Sequence, residues 1–302
     1  MVRMAPTPTA KGTVPFGPYK TWYRVTGELG EGRPPVVVVH GGPGSTHDYL
    51  LRLAELAEDG WPVVHYDQLG NGGSTHLRDR GADFWTPELF LDELENLLEA
   101  LDVADEYVLF GHSWGGVLAA AHAVRQPEGL VGLVVADSPA SYPLWIEELA
   151  ELRKTLPPGV DELLRRHEAA GTTDSREYLE ASGVFYQRHV CRVQPLPRDL
   201  TATFMELSTD PTVYRAMNGP NEFHVVGTLK DYSLVDELAS VRVPTLVVRG
   251  EHDEITPAAA APFHELIPGA RLEVVPDASH LPHLENPDRF DAVLVEFLKG
   301  LA

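Results

Sequence analysis

Apolar positions follow two rhythms over most of this chain. Residues 21–27 (Thr-Trp-Tyr-Arg-Val-Thr-Gly) alternate as a strand does. Six further short runs, 34–40, 62–67, 107–111, 130–136, 244–250 and 271–275, are apolar almost throughout. Strands without an exposed polar face belong in a parallel sheet covered on both sides. Between them the spacing becomes helical. In 87–101, Leu89, Phe90, Leu94, Leu97, Leu98 and Leu101 share a face, with Thr86 placed to cap and Pro87 at the first helical position. Segment 114–125 is small and alanine-rich, as a helix pressed against a sheet would be, and 257–266 and 287–298 complete the set. Strands alternating with helices predict a doubly wound, mostly parallel α/β sheet. Residues 1–17 read as a loose arm.

The alternation stops between about 139 and 238. That stretch reads as amphipathic helices over 144–156, 160–170, 175–190 and 197–207, punctuated by Pro157-Pro158-Gly159, Gly171-Thr172-Thr173 and Pro195–Pro197. The expected organisation is an α/β core of residues 1–138 and 239–302 carrying a helical cap of residues 139–238. A length of 302 residues suits one large α/β domain with such an insertion.

Composition removes several function classes. No apolar run approaches the roughly 18 residues that cross a bilayer, and the first 17 residues lack the apolar stretch of a signal peptide. Cys191 is the only cysteine, which rules out an intramolecular disulfide and argues against a cysteine-based zinc site. A cytoplasmic protein with no membrane partner is expected. Lys and Arg number 24 against 45 Asp and Glu, a net charge of −21. Such a field repels nucleic acid and mildly favours cationic ligands.

The chemistry-bearing residues gather where strands end. Gly111-His112-Ser113-Trp114-Gly115 is a G-x-S-x-G motif between the strand at 107–111 and the helix at 114–125, the setting of a nucleophile elbow. A serine nucleophile needs a base, and the base an orienting acid. Asp253, just past the strand at 244–250, and His280, just past that at 271–275, supply them in the expected chain order. Asp137 is the rival acid; His283 and, less so, His264 are the rival bases. His40-Gly41-Gly42-Pro43-Gly44 follows the strand at 34–40 without the Lys-Ser/Thr of a phosphate loop. It suits an oxyanion hole, with one backbone N–H from Trp114 and another from Gly41 or Gly42. The donors expected are Gly42 and Trp114, with Gly41 beside the substrate. His280 and His283 as a zinc pair is a weak alternative, and no metal or cofactor is called for.

Six segments carry a resemblance to the prolyl aminopeptidase (proline iminopeptidase) family of α/β-hydrolases. They are the His40–Gly44 loop, Asp67-Gln68-Leu69-Gly70, Gly111–Gly116, Gly219-Pro220-Asn221-Glu222-Phe223, Gly250–Glu254 and Ser279-His280. The resemblance spans about 14–298, and departs at His112, where many members carry glutamine. It implies an α/β-hydrolase fold, and a serine hydrolase that removes an N-terminal residue, preferentially proline, from small peptides through an acyl-enzyme. It further implies Glu222 and Glu254 as the groups that read the substrate's free amine, and Tyr214 near the acyl site. The cap would supply an apolar box for a proline-like ring from Trp145, Phe185, Tyr186, Phe204 and, first among them, Phe223. An amino-acid amide hydrolase or an esterase would use the same triad. A non-catalytic binding module on this fold is the rival from another class, disfavoured because every triad member is present.

Overall fold

The computed structural model describes residues 6–30 and 32–301. Two strands, β1 (Ala10–Phe16) and β2 (Tyr19–Thr26), open the fold as a hairpin, followed by β3 (Val36–Val39). A segment of 3-10 turns, Asp48–Asp59, leads to β4 (Val63–Asp67), α1 (Pro87–Ala100), β5 (Tyr107–His112), α2 (Trp114–Val124) and β6 (Leu130–Ala136). Five helices follow without a strand: α3 (Tyr142–Arg153), α4 (Val160–Ala170), α5 (Arg176–His189), α6 (Arg198–Thr209) and α7 (Thr212–Met217). The chain then returns through β7 (Thr245–Gly250), α8 (Pro257–Leu266), β8 (Arg271–Val275), a single turn α9 (Pro282–Glu285) and α10 (Pro287–Lys299).

The eight strands form one sheet in the order β1-β2-β4-β3-β5-β6-β7-β8. β2 runs antiparallel to β1 and β4, and every other pairing is parallel. Alternate residues of the central strands feed two cores. Val37, Val39, Leu109 and Val135 pack towards α1 and α2. Val36, Val38, Phe110 and Val134 pack towards Phe290, Val293 and Leu294 of α10 and Leu50 and Leu53 of the 3-10 segment. Both faces are therefore covered, and the runs are apolar for that reason. Thr86 caps α1 by accepting from the Leu89 N–H at 3.2 Å.

Three expectations change. The arm assigned to residues 1–17 is a strand over 10–16, and residues 1–5 lie outside those described. Its Lys11 and Thr13 face solvent while Val14 is buried, because an antiparallel edge strand needs only one apolar face. The run at 271–275 is an exposed edge, with Leu272 and Val274 partly in solvent, rather than a strand buried on both faces. The 3-10 segment, α7 and α9 were not anticipated, although Leu50, Leu53 and Leu56 keep the three-residue spacing of such turns.

The register aligns the carboxyl ends of five strands. Val39 pairs with Gly111, His112 with Ala136, Ala136 with Val248, and Gly250 with Val275. The chain reverses its strand order between β3 and β5, the place where open α/β sheets leave a crevice for a ligand. The five-helix excursion caps that edge. Its two ends are tied by a bridge between Ser141 and Ser233, with the Tyr142 N–H donating to the Tyr232 carbonyl and the Leu234 N–H to the Ala140 carbonyl.

α2 can lie this close to the sheet only because its first turn has no side chain at Gly115, where a Cβ would stand 2.0 Å from the Val39 carbonyl oxygen. Gly115→Ala should therefore destabilise the protein by about 3 kcal/mol or more. Gly183→Ala, on α5 with nothing within 4 Å, should stabilise by about 0.5–1 kcal/mol. Paired thermal melts check both signs.

Candidate active site

Ser113 sits between β5 and α2 at φ 55° and ψ −126°, a conformation rare for a residue with a side chain and characteristic of functional strain. It is held there from both sides. The Ser113 N–H donates to the Ala136 carbonyl at 2.9 Å, and its own carbonyl accepts from Gly116 and Val117. Close to it lies the loop after β3: a Cβ on Gly41 would stand 2.9 Å from the Ser113 Cβ.

His280 and Asp253 meet at the ends of β8 and β7. His280 Nδ1 lies 2.8 Å from Asp253 Oδ1, which also accepts the Ile255 N–H at 3.0 Å. The bond fixes the ring so that Nε2 is its free end. Burial works against an imidazolium here, but the Asp253 charge and hydrogen bond, with Glu222 behind them, outweigh it and raise the His280 pKa above its ordinary value. The rivals are placed elsewhere. His283 turns Nε2 to the Tyr49 carbonyl at 3.0 Å, and His264 lies half-buried on α8. Asp137 is close to Asp253 but is not bonded to the imidazole of His280.

Tyr49, which no sequence signal singled out, links three loops. Its hydroxyl accepts the Gly41 N–H at 2.8 Å and meets His112 Nδ1 at 2.9 Å, and His112 Nε2 reaches the His280 carbonyl at 2.7 Å. A single pattern satisfies the chain: the Tyr49 hydroxyl donates to Nδ1 of a neutral His112, which donates from Nε2. Burial and the neighbouring His280 and His283 hold His112 well below the ordinary histidine range, consistent with that neutral form. The Gly41 N–H is thereby spent. Gln68 braces the same region, accepting from Trp114 Nε1 at 2.9 Å and donating to the His40 carbonyl at 2.8 Å.

The two glutamates converge from opposite sides. Glu254, beside Asp253, is fully buried, its Oε1 is 3.7 Å from His280 Nε2, and neither of its oxygens has a hydrogen-bond partner among the described residues. Burial, then the charges of Glu222 and Asp253, push its carboxyl well above the usual range. Glu222 arrives from the cap, half-buried, accepting the Tyr214 hydroxyl at 2.8 Å; burial raises its pKa too, against the pull of His280 and Tyr214.

The cap holds these groups in place. The His189 carbonyl, at the end of α5, accepts from the N–H groups of Glu254 and His280, and Trp145 Nε1 donates to the Glu254 carbonyl at 3.3 Å. Buried Arg153 pairs with Asp161 at 2.7 Å and Glu168 at 3.0 Å and lies over the Phe223 ring at 5.2 Å. Glu168 accepts from Tyr178, whose hydroxyl receives Asn221 Nδ2 at 2.6 Å, steadying the turn that carries Glu222. Of the expected aromatic box, Phe185, Tyr186 and Phe223 cluster, with ring centroids 4.6 to 6.4 Å apart, and Phe204 joins through Tyr186. Trp145 packs on Tyr142 instead. Beside Tyr214 and Glu222 a cavity of about 710 Å3 opens through the cap, lined also by Tyr186, Phe204 and Leu179.

This arrangement, a strained serine, an acid-oriented imidazole and a glycine loop at the carboxyl ends of parallel strands, is that of a serine hydrolase of the α/β-hydrolase class. The family model described as the alpha/beta hydrolase fold matches residues 34–287. Within that class the chain belongs to the proline iminopeptidase family. It is 37% identical to the proline iminopeptidase of Saccharolobus solfataricus over 93% of this chain and 88% of that one. The crystal structure of VinJ superposes with a TM-score of 0.97 at 61% identity, covering 98% of this chain and 100% of that one. The crystal structure of the Mycobacterium smegmatis proline iminopeptidase follows with a TM-score of 0.90 at 50% identity, over 97% and 98% of the two chains.

Tyr49→Phe removes one hydroxyl and strands two buried partners, the Gly41 N–H and His112 Nδ1. The expected loss is about 1–3 kcal/mol, read as a fall of roughly ten- to a hundredfold in kcat/KM with the fold retained by circular dichroism.

Proposed function

We propose that this enzyme removes an N-terminal residue, preferentially proline, from short peptides by way of an acyl-enzyme on Ser113. The observation that carries this reading is the Glu254 carboxylate, buried and unpartnered, with Glu222 facing the same space and neither paired with a lysine or arginine among the described residues. Buried carboxylates without a counter-ion are costly. A substrate ammonium would supply the counter-charge that the chain withholds, making charge-assisted hydrogen bonds to both. The proline iminopeptidase names of the relatives agree with this chemistry.

In the reaction so read, Ser113 attacks the carbonyl carbon of the first residue as His280 Nε2 takes its proton. Asp253 holds the tautomer through Nδ1 and stabilises the imidazolium. With the Gly41 N–H occupied by Tyr49, the Gly42 N–H and the Trp114 N–H, one of the unpaired donors that open a helix, receive the oxyanion. His280 then protonates the departing amine, and water, activated by the same ring, releases the residue. Phe223 and its aromatic neighbours would face the pyrrolidine ring, with Tyr214 and Gly41 beside the acyl group. Division of the chain into a core of residues 1–138 and 239–302 and a cap of 139–238, and a cytoplasmic location, belong to this same reading. For location, the structure offers only that no described helix is long and apolar enough to cross a membrane.

Ser113→Ala should lower turnover by about four orders of magnitude or more while leaving the melting temperature unchanged. Retention of a tenth of the activity would end the assignment. Glu222→Gln and Glu254→Gln should each lose on the order of 2–5 kcal/mol in kcat/KM on proline 4-nitroanilide, and far less on a neutral ester. An N-acetylated substrate turned over as fast as the free amine would move the reading to an esterase. Prolinamide strongly preferred to Pro-Xaa dipeptides would move it to an amide hydrolase. The pH dependence follows from two groups. His280 must be neutral to act, and its pKa is raised, so activity should rise with pH through a value above that of ordinary histidine. It should fall again as the substrate ammonium is lost, and a neutral ester should lack that alkaline limb.

A further inference from the structure

Asp137 is the acid that the triad does not use. It follows β6 directly and holds φ 50°, in the left-handed region that a residue with a side chain enters at a cost. Its N–H donates to the Val248 carbonyl at 2.8 Å, and its Oδ1 accepts the Gly250 N–H at 2.9 Å, so it joins the ends of β6 and β7. Its other oxygen, Oδ2, is buried and has no partner among the described residues, and the same is true of Asp253 Oδ2. Both carboxyls lie with a His280 ring nitrogen inside a span of 4.8 Å.

Two buried carboxylates with unsatisfied oxygens at this range repel each other and lose their hydration. One proton between them removes both costs. Among the described residues no lysine or arginine pairs with Asp137 to supply the missing positive charge. His112, from β5, has Nε2 3.8 Å from Asp137 Oδ2, but that N–H already serves the His280 carbonyl. Glu285, on α9, contributes another negative field, and His280 is engaged by Asp253. Burial first, then the adjacent Asp253 carboxyl, drive the Asp137 carboxyl well above the usual carboxylate range, and the Gly250 N–H offsets only part of this.

We propose that Asp137 is a neutral carboxylic acid that donates its proton to Asp253 Oδ2. It is a positioning residue: it anchors the second oxygen of the triad acid and leaves Oδ1 for His280 Nδ1 and the Ile255 N–H. Its neutrality matters as much as its hydrogen bond. A second negative charge beside the imidazole would hold His280 protonated at neutral pH, and a protonated ring cannot act as a base. The inference rests on Asp253 being the partner of the catalytic base.

The test compares Asp137→Asn and Asp137→Ala on 4-nitrophenyl acetate, whose hydrolysis does not involve amine recognition. Asparagine keeps a donor for Asp253 Oδ2 and an acceptor for the Gly250 N–H, and carries no charge. Alanine should lose about tenfold or more in kcat, and asparagine should restore most of that loss. The acid limb of kcat/KM, which reports the free enzyme's base, should stay within about 0.3 pH unit of wild type in the asparagine variant. Were Asp137 ionised, removing its charge would lower that limb by about a unit or more, and such a shift overturns the proposal. So do equal losses in the two variants when both are folded. If alanine does not fold, the limb of the asparagine variant decides alone. Full activity in Asp253→Asn would instead sink the triad assignment beneath the proposal, a failure distinguishable from the others.

Discussion

Four carboxyl groups, Asp137, Asp253, Glu222 and Glu254, crowd around one imidazole at the carboxyl ends of the strands, and among the described residues no lysine or arginine pairs with any of them. The low polarisability of a protein interior makes this the governing constraint of the site. Four charges cannot persist there with one histidine, so protons and hydrogen bonds must share the work of neutralising them, joined in the proposed reaction by the substrate ammonium. Asp253 Oδ1 meets His280 Nδ1 and accepts the Ile255 N–H. The Glu254 carboxyl has no hydrogen-bond partner among the described residues, and its pKa is pushed far up.

The rest of the architecture serves to hold these groups within reach of one another. The sheet register brings the five strand ends level, and α2 approaches β3 closely enough to bring Ser113 to the loop that carries Gly41. Bonds between loops then fix orientation. Tyr49 and His112 tie the glycine loop, the serine turn and the histidine loop into one unit. Within Asp67-Gln68-Leu69-Gly70, one of the segments of resemblance, Gln68 binds Trp114 and His40 to one another.

Much of this was legible in the sequence because its signals are local. Ser113 and His280 each follow an apolar run at a turn, and the run itself announces the strand. Asp253 is the acid expected from the sequence and Asp137 its rival, since both follow strands; the 2.8 Å contact to His280 belongs to Asp253. Tyr49 lay hidden because its function depends on a hydroxyl meeting residues 8 and 63 positions away, and nothing in Asp-Tyr-Leu-Leu marks it. β1 was missed for a different physical reason. Edge strands are half-wetted, and Ala-Lys-Gly-Thr-Val-Pro-Phe has the mixed polarity of a loop. The helical excursion was legible as helices, whereas the hold of its His189 carbonyl on Glu254 and His280 was not, because a backbone contact leaves no trace in side-chain pattern.

Glu222 and Glu254, which the proposed reading sets against the substrate amine, stand on different bodies of the fold, Glu222 on the helical excursion and Glu254 on the loop after β7, with the seam between them running through the site. A receptor divided in this way exists only while its halves are seated together. On the proposed reading, any outward swing of the helices that opens an exit for the freed amino acid also pulls apart the pair of carboxyl groups that would grip it. Tight recognition in the closed form and prompt discharge in the open one then cease to be competing demands, since the affinity is dismantled by the same movement that clears the path.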